Sequence, residues 1–195
     1  NAHGPNEFLH VPYAKKLTAS GDFVNKGALR VLGSNFSDVT QSTRDSIVQS
    51  AGMANYLPQD FSAWNGELAV GGSFVNQGMI LQYGKITAGN MQNTADAVWM
   101  STGDLETAQD FVNSGIYDSF GGIRAGRDIL NSGDIGLTGD MQSVRDLQNS
   151  GFATVDGNIT VGNDLSNSGE IAVADQLLVN RHLTNTDTVS AGSIR

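Results

Sequence analysis

The chain has 195 residues, 20 acidic against 11 basic, for a net charge of -9, and contains no cysteine. That charge repels phosphate backbones and anionic membranes and argues against a nucleic-acid partner, while the missing thiols exclude disulfide staples and thiolate metal sites. Apolar residues make up 39% but aromatics only 7%, with 24 glycines and 3 prolines, so one domain with a narrow aliphatic interior and many tight corners is expected.

The chain opens on Asn1 rather than methionine, which fits a mature product after removal of a signal peptide and predicts an extracellular or cell-surface location. The longest apolar runs are a few residues, too short for a membrane-spanning helix, so no membrane insertion is expected. Residues 1–20 read as an extended N-terminal segment whose apolar stretch at 8–13 caps its own first coil, with strand addition to a neighbour as the alternative. Residues 21–33 carry the first copy of a recurring phrase, Phe23-Val-Asn25-Lys-Gly27. Residues 34–71 lose that rhythm and read as an irregular excursion, with a helix-like stretch at 44–54 and with Tyr56, Asp60, Trp64 and Glu67. From 72 to 195 the phrase returns and becomes regular.

Its asparagines are Asn76, Asn93, Asn113, Asn131, Asn149, Asn167 and Asn185. The last five stand 18 residues apart, and a fixed period this short means stacked coils. The earlier intervals are 17 from Asn76 to Asn93 and 20 from Asn93 to Asn113, read as a one-residue deletion and a two-residue bulge near Val98-Trp99-Met100. The interval of 51 from Asn25 to Asn76 reads as one coil plus the excursion.

Inside each 18 lies a beat of six: Ile123, Ile129, Ile135, Met141, Leu147, Ala153, Ile159, Leu165, Ile171, Leu177, Leu183 and Val189. Three beats make one turn of a triangular parallel β-solenoid, an all-β fold. Alternate strand residues share a face, so the position two after each beat points inward as well. Leu137, Val155, Val161, Val173, Val179 and Ala191 occupy it on two sides of the triangle, and the asparagines occupy it on the third. Coils about 4.8 Å apart put each asparagine within hydrogen-bonding reach of its copies. Glycines 27, 78, 115, 133, 151 and 169 follow by two, where an open or positive backbone angle is expected.

Asp110, Asp128, Asp146 and Asp164 precede a beat residue, as Asp22 does, and are placed to accept turn amides. Arg127, Arg145 and Arg181 form an adjacent column, interrupted by Asn163, next to Asp128, Asp146 and His182. A corner lattice of ion pairs is expected, with a ligand rail for sugar hydroxyls or carboxylates as the functional alternative. The glycine-rich nonapeptide of calcium-binding solenoids is absent, and neither metal nor cofactor is expected. A solenoid enzyme needs carboxylates lining a cleft, and only the excursion breaks the uniform coils. Trp64 and Trp99 read as packing residues.

The phrase Gly-Asn-Asp-Leu-Ser-Asn-Ser-Gly-Glu-Ile-Ala-Val at 162–173 resembles the repeats of filamentous haemagglutinin-type adhesins, secreted bacterial β-helical proteins with a Leu-x-Asn-x-Gly-x-Ile core. The resemblance covers 72–195 and the copy at 22–31, and implies a right-handed solenoid. The beat of six is also similar to bactofilins and to hexapeptide acyltransferases. The polar inward column departs from the first, and the second needs a base that His3, His10 and His182 are not placed to supply.

The function expected is therefore that of a secreted or cell-surface structural or adhesive β-solenoid, a non-enzyme and a subunit or segment of a bacterial surface fibre built by end-to-end coil stacking. Its partners are itself or other surface proteins. The alternatives are a carbohydrate-binding or exopolysaccharide-anchoring module and a glycan-active β-helix enzyme. Eight or so coils at about 4.8 Å give a rod of roughly 40 Å.

Overall fold

The computed structural model describes residues 8–11, 16–31 and 67–195, and every regular element among them is a strand. Strand β1 (Phe8–Val11), β2 (Lys16–Ala19) and β3 (Phe23–Asn25) supply one side each of the first coil. Onto them stack β4 (Ala28–Val31), β5 (Glu67–Val70) and β6 (Ser73–Asn76), all parallel. Later coils repeat the sequence of three sides, giving a triangular parallel β-solenoid with about 18 residues per coil. The third face is an eight-stranded sheet among the described residues. The first and second faces form one sixteen-stranded sheet, because the strand Glu170–Val179 runs unbroken round their shared corner.

Most strands are short because only three or four residues separate corners, and the alternation within them decides what is buried. In Ile159–Val161 the isoleucine and valine are buried and Thr160 between them is half-buried. The beat residues from Ile123 to Leu177 are all buried, none more than 3% exposed. Leu183, in the last coil, is 40% exposed.

The interior is not purely aliphatic. Phe74, Trp99, Phe111 and Tyr117 are fully buried and pack edge-on or tilted, with ring centroids 5.2 to 6.4 Å apart. Phe23 stacks on Phe74 at 5.5 Å. Four or five rings gathered in consecutive coils escape a whole-chain average of 7% aromatics, which is why composition misses them. The indole of Trp99 donates from Nε1 to Oε1 of Gln82 at 2.8 Å, so this tryptophan is a core residue with its polar edge satisfied.

Three boundaries differ from the sequence reading. Among the described residues before 20, β1 and β2 are sides of the first coil, with Leu9 packed against the core. Glu67–Val70, assigned above to the excursion, is β5. The two extra residues of the coil between Asn93 and Asn113 sit at the corner 94–97, where Ala97 N–H donates to the Thr94 carbonyl at 2.9 Å. The strand Val98–Ser101 keeps normal pairing on both sides. A turn loops out more cheaply than a ladder breaks. The inserted stretch lies between β4 and β5. The helix-like stretch at 44–54 and Tyr56, Asp60 and Trp64 lie outside the described residues.

Candidate functional site

The third face carries its asparagines inward in one unbroken column. Asn25 Nδ2 donates to Asn76 Oδ1 at 2.8 Å, which makes the 51-residue interval a single step of the stack. The chain of side-chain bonds continues through Asn93, Asn113, Asn131, Asn149, Asn167 and Asn185, each at 2.8 or 2.9 Å. The column has a direction: every Nδ2 donates toward the C-terminal side. The same nitrogen also reaches a carbonyl at its own corner and one at the corner a coil further on, as when Asn113 Nδ2 reaches the carbonyls of Gly115 and Asp134 at 3.0 Å. Asn76 to Asn167 are at most 3% exposed, so these bonds form away from water, where each unmatched amide is costly.

The glycines two residues on do not need positive φ; none of the corners at Gly78, Gly115, Gly133, Gly151 and Gly169 adopts one. Their requirement is close approach. A Cβ on Gly133 or Gly151 would run into the backbone carbonyl of the glycine one coil below.

The aspartate column is a ladder of a different kind. Asp110 Oδ1 accepts the backbone N–H of Asp128 at 3.3 Å, Asp128 that of Asp146 at 3.2 Å, and Asp146 that of Asp164 at 3.2 Å. Asp22 accepts the Ser73 N–H at 2.8 Å in the same way. The arginines pair across coils rather than with their sequence neighbours. Arg127 grips Asp110 through Nε at 2.9 Å and Nη2 at 2.5 Å, and Arg145 grips Asp128 at 3.0 and 2.5 Å. Arg181 stands 3.8 Å from Asp164, which also binds His182 Nδ1 at 2.9 Å. Asp128 is held below the ordinary carboxylate range first by its bond from Arg145, and Asp164 by its bond to His182. The rail is thus committed to the protein's own lattice, with Asn163 standing where Asp146 would find its arginine. No group of three or more His, Cys, Asp or Glu able to hold a metal lies among the described residues.

Two features escaped sequence reading. The corner between the first and second faces has its own carboxylate ladder: Asp104 Oδ1 accepts Gly122 N–H at 2.8 Å, Asp140 accepts Asn158 N–H at 2.7 Å, and Asn158 accepts Gln176 N–H at 3.3 Å. Its spacing of 18 was present in the sequence, masked by the glycine at 122. The second is a groove of about 420 Å³ on the outside of the first face, lined by Met100, Asp118, Phe120, Gly136, Thr154 and Asp156 among others. It forms because Gly136 has no side chain, and the Asp118 carboxylate lies over it. Burial, with Asp134 nearby, raises the Asp118 carboxyl above its ordinary value. No sequence period marks it, since outward positions vary from coil to coil.

Fold and ladders together define a three-sided parallel β-solenoid pinned by an internal amide column. Comparison with family models, curated proteins and solved structures finds no match.

Proposed function

We propose that the chain is a structural or adhesive solenoid of the bacterial surface, a subunit or segment of a fibre that lengthens by end-to-end coil stacking. One observation carries this: the amide column runs unbroken from Asn25 to Asn185 with every bond in the same sense, so any further coil, from whichever chain, continues it without reversal. The resemblance of residues 162–173 to secreted adhesin repeats supports export and an extracellular setting. The corner acids bind backbone amides and arginines, which supports a scaffold rather than a catalyst. Electron microscopy of the purified chain tests the reading: rods longer than one subunit support it, and dispersed monomers at high concentration count against it.

A second reading, a carbohydrate-binding or polysaccharide-anchoring module, is favoured by the first-face groove rather than by the arginine rail. The groove offers Phe120 as a ring surface with Asp118 and Thr154 as polar groups. Retention on a polysaccharide column that falls when Phe120→Ala or Asp118→Ala is introduced, and is indifferent to Arg145→Ala, is the outcome expected of this reading.

A further inference from the structure

Between residues 98 and 179 the basic residues are Arg124, Arg127 and Arg145, and each has an acid of its own. Arg124 lies on the second face against Glu106, while Arg127 and Arg145 lie at the corner before the third face against Asp110 and Asp128. Over the same coils the outside of the first face carries acids with no cation beside them among the described residues. Its two outward columns run Val98, Ile116, Asp134, Phe152 and Met100, Asp118, Gly136, Thr154. Arg30, on the same face and buried, stands three coils before Asp118, about 14 Å away at the coil spacing.

Asp134 thus lies between Ile116 and Phe152, which are 43% and 58% exposed, and Asp118 between Met100 and the bare backbone of Gly136. At the adjoining corner Phe120, Thr138 and Asp156 follow one another at intervals of 18. The groove of about 420 Å³ is lined from both columns. Asp118 and Phe120 mark one end of it, and Thr154 and Asp156 the other, two coils on. Burial and Asp134 already disfavour the charged form of Asp118. A neutral ligand would add to that desolvation and an anionic one to the repulsion, whereas a cation relieves both.

The strands beneath the groove are paired on both sides, so an extended peptide finds no free backbone edge to join. A sugar needs no such edge: it lays its C–H face on an aromatic ring and turns its polar groups to carboxylate and hydroxyl. Resting on the carbohydrate reading, we propose that the first-face groove binds a polysaccharide with free amino groups, its ammonium groups meeting Asp118 and Asp156 while a sugar ring lies on Phe120. A polymer with an amine on every unit answers both carboxylates at once, and an ammonium beside Phe120 gains from the ring as well.

The probes are an oligomer of glucosamine, the same oligomer N-acetylated, an oligouronate and a lysine oligomer, each titrated calorimetrically into the purified chain where the amines are protonated. The glucosamine oligomer is expected to bind at least about tenfold more tightly than its acetylated form, and the oligouronate not to bind. Asp118→Asn and Asp156→Asn are each expected to weaken the glucosamine oligomer and to leave the acetylated one unchanged; Phe120→Ala weakens both and Arg145→Ala neither. Equal affinity for the two sugar oligomers, still dependent on Phe120, would overturn amine recognition and leave the carbohydrate reading standing. Glucosamine binding indifferent to Asp118, Asp156 and Phe120 would be attraction by the net charge of -9 alone and would overturn the site. A lysine oligomer held as tightly by the same carboxylates would overturn the choice of a sugar. Failure of every probe to bind would overturn both this inference and the carbohydrate reading.

Discussion

Asn131 and Asn149 stand 2.8 Å apart, Nδ2 to Oδ1, while the same Nδ2 reaches the Phe152 carbonyl at 2.9 Å and the Gly133 carbonyl at 3.0 Å. One side-chain amide thus ties two coils and two corners together. Removing it takes the donor from Asn149 Oδ1 in a dry column and leaves Asn113 Nδ2 with the carbonyls of Gly115 and Asp134 alone.

Asn131→Ala is therefore expected to cost about 2–4 kcal/mol, a fall in Tm of about 5–10 °C by circular dichroism. Asn185→Ala, in the exposed last rung, is expected to change stability by no more than about 0.5 kcal/mol. Equal effects at the two positions would contradict the ladder as the source of stability.

Gly133→Ala places a methyl against the Gly115 carbonyl and the Ser114 backbone. Backbone on both sides of the contact cannot yield as a flexible side chain would, so a loss of about 1–3 kcal/mol is expected in urea unfolding. At Gly21 nothing lies within 4 Å of an added Cβ, and Gly21→Ala is expected to be neutral. A neutral Gly133→Ala would mean that the coils can separate locally at little cost.

Arg145→Ala removes a pair that is half-exposed on the arginine side, and only a small loss of stability is expected at neutral pH, shrinking with added salt. Because the folded Asp128 carboxyl titrates below its unfolded value, its stabilising effect is complete above about pH 3.9 and disappears as pH falls through the folded value. Wild type and Arg145→Ala should converge in Tm on acidification. Divergence toward low pH would reverse the assignment.

Asp118 has the opposite sign. Burial and Asp134 raise its folded value, so the charged form penalises the native state, and the penalty sets in as pH rises from about 3.9 through the folded value. Asp118→Asn is expected to raise Tm at pH 7 and to match wild type in acid. A lower Tm at pH 7 would show that the carboxylate has a stabilising partner in solution.

The sequence by itself determined the solenoid, because a beat of six with one polar column can bury its apolar residues only by winding a three-sided coil. It also determined the amide rungs: a side chain recurring every 18 residues on one inward face has no partner within reach except its own copies. Other features were decided only by the tertiary structure. Arg127 turns to Asp110 rather than to its neighbour Asp128 because stacking places the carboxylate of the coil below in front of the guanidinium, a distance that chain order does not encode. The glycines answer to the coil beneath them rather than to their own φ. The aromatic plug around Trp99 and the groove under Asp118 arise where adjoining coils hold unlike side chains, and a period reports only what repeats. The strand β1 joins the first coil because Leu9 finds apolar surface there, a gain that belongs to the packed state and leaves no mark in so short a stretch of chain.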